Sequence, residues 1–569
     1  MLQKIKTITV GILLSLPLGG VGGGLCLHAQ NPYMPLWEFI PDGEPYVFED
    51  PDQPGKFRVY VYGSHDNLVN YYCGRDQVVW SCPVDDLTKW RCDGIIFESK
   101  KDANGQWLAP LDKKGNPAKN ARKAKDGTGD VLYAPDVAEV VGADGKKTYY
   151  LYPNVQNDQR NNLVAKADRP DGPFTVCNWN PEKPQETVGP FAFDPAAFVD
   201  DDGRVYGYWG FGLSNAAELD PATMATVKPG TDIVRNMIGG YKQDKTFRFY
   251  EASSIRKIKD KYIFIYSRVT NDGECGLPST NYTLAYCYSN NPLGPWTYGG
   301  TIIDGRGKER RPDGTWVATA CPNGNTHGSI CFIPSTKPGA NYAEYKGQKG
   351  SWWVFYHRQA GTSEYSRQAC VAPIDVEVVE GEDGYVRISE AEFTSEGFMT
   401  EGLDPFTRYA AGIACYFMGP QPAHQEYPNM VYTGSHTEIV RNQYPGAGDV
   451  YAPEYNRCPM VNNTAGSVFG YKYYNFSRTY GRDNLQLIMN LETEGTAGTM
   501  TVYLDRPSEA EGGIKFATYA IASQTAAAAD VAIAVPALKH YNGKHALFVV
   551  FSSDVKGKSL CKVNSLVFK

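Results

Sequence analysis

The chain has 569 residues, and its 56 Lys and Arg against 63 Asp and Glu give a formal net charge of −7. This length excludes a single small module, and cations that are both outnumbered and dispersed exclude a basic groove for nucleic acid. The 39 Tyr, 24 Phe, 58 Gly and 37 Pro favour many short strands joined by turns over a helical bundle or a disordered chain.

Residues 1–29 have the pattern of a secretory signal peptide. Lys4 and Lys6 precede an apolar run over residues 8–18, and cleavage is predicted after Ala29. The run is shorter than the ~20 residues of a membrane-spanning helix, so no membrane span is predicted. Cys26 raises a lipoprotein alternative, but Leu25 is too bulky for a usual lipobox. We expect an exported protein, periplasmic or secreted, with attachment to the cell surface as an alternative.

Five segments between residues 30 and 395 share one layout, a turn followed by a strand rich in aromatic and β-branched residues. They are KFRVYVYG (56–63), KKTYYLYP (146–153), GRVYGYWG (203–210), DKYIFIYS (260–267) and GSWWVFYH (350–357). Their centres lie 89, 57, 57 and 91 residues apart, and the long intervals contain polar insertions at 101–130 and 306–349. Without these insertions, a repeat unit of about 57 residues remains, which is enough for one four-stranded sheet. We therefore predict an all-β fold with a five-bladed β-propeller over residues 30–395.

A second, shorter motif precedes each of these strands and carries one polar residue. The motifs are IPDGEPYVF (40–48), YAPDVAEVV (133–141), FDPAAFVD (193–200), YEASSIRKI (250–258) and THGSICFIP (326–334). The polar residues are Asp42, Asp136, Asp194, Glu251 and His327. The innermost strand of each propeller blade runs along the central axis, so these side chains should converge on one end of it. The spacing predicts four carboxylates and one imidazole around a single depression.

Clustered carboxylates raise one another's pKa, and a fold tolerates that cost where chemistry or a cation requires it. Two carboxyl groups beside a small pocket can cleave a glycosidic bond, one donating a proton and the other activating water. The alternative is a calcium site with oxygen ligands. Each Asp alone also fits a turn or a cap, but the common register across five repeats favours a shared function.

Together with NTHGSI and FYHR, these motifs resemble glycoside hydrolase family 43 over residues 31–395. The resemblance implies a five-bladed propeller that hydrolyses terminal arabinofuranosyl or xylosyl units with inversion of configuration. It implies that Asp42 is the general base, that Asp136 tunes and orients the acid, and that Glu251 is the general acid. It also implies a structural Ca²⁺ near His327, with no cofactor required for the chemistry.

Three residues are predicted to bind substrate: Asp194, Arg358 and Trp80. Arg358 follows FYH and resembles the pocket arginine of the family. Sugar rings stack on aromatic faces, and Trp80 lies near the pocket motifs, as do Trp37 and Trp209, although each tryptophan also fits a core position.

Residues 396–403 have the composition of a linker. Over residues 404–569 the sequence pattern changes to segments rich in Ala and Val, in which apolar and polar residues alternate. Segments such as TMTVYLD (499–505) and HALFVVFSS (545–553) predict a β-sandwich. The order of these strands is similar to that of a family 6 carbohydrate-binding module, a jelly roll. YAAGIACY (409–416) and Asn564 stand where such modules carry acidic residues, so calcium and sugar binding by this domain stay open.

An exo-acting α-L-arabinofuranosidase on arabinose- or xylose-containing glycans is the first prediction, and a β-xylosidase is its nearest alternative. A non-catalytic carbohydrate-binding propeller belongs to another class. Loss of one acid would favour it, whereas Asp42, Asp136 and Glu251 are all present. A calcium-stabilised adhesion protein is a third class, and titration with a chelator while sugar release is followed would separate it from an enzyme.

Overall fold

The computed structural model describes residues 29–66, 72–99, 131–155, 162–183, 186–320, 324–335, 341–361, 363–420, 424–425 and 457–569. The predicted signal peptide up to residue 28 and the insertion at 101–130 lie outside the described residues. Strands dominate this part of the chain, and its helical elements are short 3₁₀ turns at Glu274–Gly276, Ala411–Ile413, Phe476–Arg478, Glu509–Glu511 and Pro536–His540. Across the described ranges, no helix has the length and apolar character needed to cross a membrane.

The first four sheets each consist of four consecutive antiparallel strands. The first contains β1 (Glu44–Glu49), β2 (Phe57–Tyr62), β3 (Asp76–Pro83) and β4 (Arg91–Glu98). The second contains β5 (Asp136–Val141), β6 (Lys147–Tyr152), β7 (Ala165–Ala167) and β8 (Thr175–Val176). The third contains β9 (Ala196–Val199), β10 (Val205–Trp209), β11 (Asn215–Leu219) and β12 (Val234–Arg235). The fourth contains β13 (Phe249–Ile258), β14 (Lys261–Arg268), β15 (Thr283–Ser289) and β16 (Thr297–Asp304).

The fifth sheet departs from this plan. A short ribbon of β17 (Glu309–Arg310) and β18 (Trp316–Val317) precedes it. It contains β19 (Ser329–Pro334), β20 (Tyr342–Tyr345), β21 (Gln348–Ala360) and β22 (Ser363–Ile374). Strand β21 is central: β19 pairs along one edge, and β20 and β22 share the other. A ribbon of β23 (Val376–Val378) and β24 (Val386–Ile388) follows.

All five predicted aromatic strands are strands in the structure, as β2, β6, β10, β14 and β21. Their side chains are buried on both faces, as in β14, because neighbouring sheets pack against both sides. One apolar cluster joins the first and second sheets, and others join the second to the third, the third to the fourth and the fourth to the fifth. A further cluster joins the fifth sheet back to the first, so the five sheets share cores in a closed sequence.

The C-terminal residues form two further antiparallel sheets around one apolar core. The first contains β25 (Tyr409–Ala410), β27 (His424–Gln425), β28 (Met460–Val461), β30 (Gln486–Glu494), β33 (Thr525–Ala534) and β35 (Cys561–Phe568). The second contains β26 (Tyr416–Met418), β29 (Val468–Asn475), β31 (Gly498–Leu504), β32 (Ile514–Ile521) and β34 (Lys544–Ser552). These include the strands that the alternation of apolar residues predicts.

The predicted linker at 396–403 is packed rather than extended into solvent. Leu403 is fully buried, and the Phe398 ring stacks on Trp90 and meets Trp353 edge to face. The Phe398 amide donates to the Ala29 carbonyl. The segment therefore ties the two C-terminal sheets to the rest of the molecule.

Candidate active site

The five polar residues of the repeated motif lie at equivalent ends of the first strands of their sheets. Asp136 begins β5, Glu251 is the third residue of β13, and Asp42, Asp194 and His327 each precede a strand by two residues. All five side chains are buried. Asp42, Asp194, Glu251 and His327 lie close enough together for each to have its pKa affected by another of the four. Asp136 instead interacts with Tyr46, Arg256 and two backbone N–H groups.

Backbone geometry aims three of these side chains. Asp42 and Asp194 have φ values of 59° and 44°, in the left-handed region that Asp tolerates better than most residues. Glu251 lies between two register shifts in the pairing of β13 with β14, and Ala252 has a φ of 69°. Such a bulge redirects a side chain that regular pairing would point elsewhere.

Asp42 is held as a carboxylate. The Ser64 hydroxyl donates to Oδ2, and Arg367 Nη1 donates to Oδ1 at 2.9 Å. Arg367 also binds Asp66: its Nε donates to Oδ2 at 2.9 Å, and its Nη2 donates to Oδ1 at 2.8 Å. Burial alone would raise the pKa of Asp42, but the Arg367 guanidinium, helped by the hydrogen bond from Ser64, outweighs it, and the net pKa lies below its ordinary value. Asp42 is therefore ionised at neutral pH.

Glu251 has the opposite tendency. Burial, followed by the charge of Asp42, raises the pKa of Glu251 to about 7, although the Asn325 amide and Arg367 act in the other direction. Asn325 Nδ2 donates to Glu251 Oε1 at 3.3 Å. A substantial fraction of Glu251 therefore carries a proton near neutral pH.

His357 and Asn325 connect the segments that carry these two carboxyl groups. The Asp42 backbone N–H donates to His357 Nδ1 at 3.1 Å, so the proton of this imidazole lies on Nε2. Nε2 is 2.8 Å from the Asn325 carbonyl oxygen, to which it donates. Burial lowers the pKa of His357 to about 3 and keeps the ring neutral. One path of hydrogen bonds thus runs from Asp42 through His357 and Asn325 to Glu251.

Asp136 and Asp194 bind backbone amides of the next sheet. Asp136 Oδ2 accepts from the Ala197 N–H at 2.7 Å, and Asp194 Oδ2 accepts from the Ala252 N–H at 2.9 Å. Burial raises the pKa of Asp136 despite the 2.6 Å hydrogen bond from Tyr46, and burial with the nearby Glu251 raises that of Asp194. Asp194 therefore fixes the residue that follows Glu251.

His327 lies between Asp194 and Glu44. Its Nδ1 is 3.7 Å from Asp194 Oδ2, and its Nε2 is 3.8 Å from Glu44 Oε1. Burial lowers the pKa of His327 to about 4, so the ring is neutral. Among the described residues, no group of three or more His, Cys, Asp and Glu side chains is arranged to hold a metal ion.

The arginine that reaches the carboxylates is Arg367 rather than Arg358. Arg358 Nη1 and Nη2 donate to the carbonyl oxygens of Ala414 and Gly412 at 2.7 and 2.8 Å. Its role in the structure is to join the fifth sheet to the C-terminal sheets, and these contacts leave the prediction of substrate binding without support.

Trp80 is also placed away from the carboxylates. It is fully buried in the core between the fifth and first sheets, and its Nε1 donates to Glu38 Oε2 at 3.0 Å. A ring enclosed on all sides offers no face to a sugar. Trp37 and Trp209 are buried as well. All three tryptophans are therefore core residues and not surfaces on which a sugar could stack.

A buried imidazolium supports the segment that carries Ser64 and Asp66. His65 Nδ1 is 3.0 Å from Asp76 Oδ1, and Nε2 is 3.2 Å from Glu38 Oε1. Burial alone would lower the pKa of His65, but Asp76 and Glu38 together raise it to about 10. Because the pKa is raised on folding, this group stabilises the fold fully below its ordinary pKa of ~6.5, and its contribution is lost as the pH rises through about 10.

We expect His65→Leu to lower the free energy of unfolding by about 3–5 kcal/mol, because two buried carboxylates then lose their cation. Urea denaturation followed by circular dichroism measures the change. His545→Leu is the matched control: this ring faces Asp505 at a partly exposed site, where a pair contributes about 1 kcal/mol or less. Equal losses in the two variants would contradict a charged His65.

The chain is similar to several known proteins. The sequence profile of Glycosyl hydrolases family 43 matches residues 86–320. The Xylosidase/arabinosidase of Thermoclostridium stercorarium is 32% identical over 467 residues, which cover 78% of this chain and 82% of that protein. The Arabinoxylan arabinofuranohydrolase of Paenibacillus polymyxa is 26% identical over 402 residues, which cover 67% of this chain and 54% of its own length.

One similar solved structure is that of a glycoside hydrolase family 43 arabinoxylan arabinofuranohydrolase from Bacillus subtilis in complex with cellotetraose. It is 20% identical, with a TM-score of 0.42, and the match covers 95% of this chain and 97% of that one. The similarity that decides the family is the one to the Thermoclostridium stercorarium protein, which extends over most of both sequences.

Proposed function

Because this chain belongs to glycosyl hydrolases family 43 and is a glycoside hydrolase, we propose that it removes terminal pentosyl units from arabinose- or xylose-containing glycans, as an α-L-arabinofuranosidase. The observation that carries the proposal is the pairing of an ionised Asp42 with a Glu251 whose pKa is raised to about 7. The relatives named Xylosidase/arabinosidase and Arabinoxylan arabinofuranohydrolase support a pentoside as substrate. A β-xylosidase is the alternative within the same chemistry.

The proposed reaction is a single displacement. Asp42 takes a proton from a water molecule, and the water oxygen attacks the anomeric carbon. The bond from that carbon to the leaving oxygen breaks, and Glu251 gives its proton to that oxygen. One displacement inverts the configuration. The step uses only water and the two carboxyl groups, so it draws on no cofactor.

Asp136 is proposed to orient the acid through two backbone contacts. Its carboxylate receives the Ala197 N–H of β9, and the turn that leads into β9 carries Asp194. Asp194 in turn receives the Ala252 N–H, next to Glu251. In this proposal Asp194 and Asp136 are positioning residues rather than groups that react.

We infer that the five sheets are the blades of a five-bladed β-propeller. The closed sequence of shared cores supports this arrangement, as do the contacts of β1 with β19, β19 with β13, β13 with β9 and β9 with β5. The two C-terminal sheets around one core are proposed to form a jelly-roll sandwich. Arg358, whose guanidinium donates to two carbonyls of this unit, supports an architectural role for it.

The residues around His327 do not fit a directly bound calcium ion. His327 Nε2 and Glu44 Oε1 are buried without a hydrogen-bond partner, which leaves polar atoms for a water molecule. Ca²⁺ takes about six to eight oxygen ligands, and among the described residues no group of three or more His, Cys, Asp and Glu side chains is arranged to hold a metal ion. Calcium near His327 stays a prediction, and the proposed reaction uses none. Export of the mature chain after residue 29 is likewise proposed from the sequence alone.

The pH profile of kcat/KM should be bell-shaped, with an alkaline limb near pH 7 where Glu251 loses its proton. The Asn325 hydrogen bond favours the ionised form of Glu251, so Asn325→Ala should move that limb upward by about 0.5–1 pH unit. The variant keeps the backbone carbonyl that His357 uses. Profiles on a substrate with a poor leaving group measure the shift, and a limb that moves downward would contradict the assignment.

A panel of substrates tests the proposed function. The protein is incubated with aryl α-L-arabinofuranoside, aryl β-D-xyloside, and arabinan and xylan oligomers, and the anomer first released is read by NMR. We expect release of arabinose with inverted configuration. Faster release of xylose would favour the β-xylosidase alternative, retention would exclude the single displacement, and no hydrolysis of any pentoside would reject the proposal.

A further inference from the structure

An exposed aromatic ring contacts Tyr250, the residue that precedes the proposed acid. Phe211, in the turn between β10 and β11, is 56% exposed, which is unusual for a phenylalanine. Its ring centroid is 5.2 Å from that of Phe193 and 5.0 Å from that of Tyr250. These two neighbours directly precede Asp194 and Glu251 in the sequence. Phe211 therefore lies at the end of the third and fourth sheets where the carboxylates are.

The turn that carries Phe211 is fixed to the backbone of the site. The Gly210 N–H donates to the Phe193 carbonyl at 2.8 Å, and the Gly212 N–H donates to the Tyr250 carbonyl at 2.6 Å. Gly210 has a φ of 149°, and a Cβ there would lie 2.0 Å from the Leu213 carbonyl oxygen, so the close turn requires glycine. Two hydrogen bonds and two aromatic contacts hold the exposed ring in one place.

We propose that Phe211 is a platform for the first sugar of the leaving group, and that it makes the enzyme favour oligosaccharides over simple glycosides. This inference rests on the proposed function. Glu251 must protonate the oxygen between the departing pentosyl unit and the sugar it leaves behind, so that sugar lies next to the residues that flank Glu251. A sugar presents an apolar C–H face, and a fixed, exposed aromatic ring supplies a complementary surface.

Phe57 provides a matched control. It is also an exposed phenylalanine, at 41%, but it begins β2 at the end of the first sheet away from Asp42. Phe211→Ala and Phe57→Ala therefore remove the same kind of surface ring at two different ends of the sheets. Phe211→Tyr keeps the ring and tests whether the aromatic face is what matters.

The experiment compares kcat/KM on an arabinosylated xylotriose or xylobiose with that on the matching methyl pentoside, which has no leaving sugar. We expect Phe211→Ala to lower kcat/KM on the oligosaccharide about 3- to 10-fold, the range of one aromatic contact. The methyl pentoside should be hydrolysed as by the unmodified enzyme, and Phe211→Tyr and Phe57→Ala should change neither value.

The two proposals fail in different ways. If the unmodified enzyme hydrolyses no pentoside, the proposed function itself is wrong. If it is active and Phe211→Ala lowers both substrates equally or neither, the function stands and the platform is wrong. A thermal midpoint equal to that of the unmodified enzyme excludes loss of fold as the cause of a selective change.

Discussion

Asp42→Asn should remove hydrolysis of every pentoside, whatever its leaving group. An amide cannot take the proton of the attacking water, and loss of a positioned base lowers turnover by about 10²–10⁴-fold. Leaving-group activation cannot restore the rate, because the missing step is formation of the nucleophile. Initial rates on an oligosaccharide and on an activated aryl glycoside measure the effect, and both should fall together.

The variant should still fold, because the Arg367 guanidinium keeps its two hydrogen bonds to Asp66. Asp200→Asn is a suitable control. Asp200 is a buried carboxylate directly after β9, paired with Lys257, and it lies at the strand end away from Asp194. The Asp200→Asn variant should retain activity, and its stability shows how much is lost when a buried carboxylate is neutralised. Activity retained in Asp42→Asn would remove Asp42 from the mechanism.

The repeated motif predicted at which end of each first strand its polar residue lies. Aromatic and β-branched runs predicted the strands, and a polar residue in one register before or at the start of each first strand predicted a common location. A repeat places equivalent sequence positions at equivalent positions of successive sheets. Asp42, Asp136, Asp194, Glu251 and His327 all follow this rule.

The alternation of side chains along β21 and β22 explains why Arg367, and not Arg358, reaches Asp42. Successive strand residues point to opposite faces, and directly paired residues share a face. His357 in β21 faces Asp42, so Arg358 faces away, whereas Gln359 faces the site again. Gln359 pairs with Arg367 of β22, which therefore also faces the site. The alternation of His357, Arg358 and Gln359 can be read from the sequence. The position of Arg367 opposite Gln359 follows only from the pairing register of β21 with β22.

Other features depended on contacts that no local pattern encodes. Asn325 reaches Glu251 from a segment 74 residues away, and Ser64 reaches Asp42 from the end of the next strand. The bulge at Ala252 that aims Glu251 carries no Gly or Pro to mark it. The sequence is compatible with Trp80 either in the core or as a sugar platform, and only its burial between two sheets distinguishes the two.

Glu251→Ala should have effects that depend on the leaving group. A sugar or alkyl alcohol is a poor leaving group and needs the proton of Glu251, so turnover on an oligosaccharide should fall about 10²–10⁴-fold. A nitrophenolate leaves without protonation, so the loss on the activated aryl glycoside should be much smaller. Glu251→Gln keeps a group that Asn325 can contact, and it tests whether a loss of packing contributes.

The pH profile supplies an independent test of the same role. The alkaline limb near pH 7 in the unmodified enzyme is attributed to Glu251, so on the aryl glycoside this limb should disappear in Glu251→Ala. The acidic limb should remain, because Asp42 still has to be ionised to act as a base. Equal losses on both leaving groups, together with an unchanged alkaline limb, would assign the proton to another residue and leave Glu251 with a positioning role.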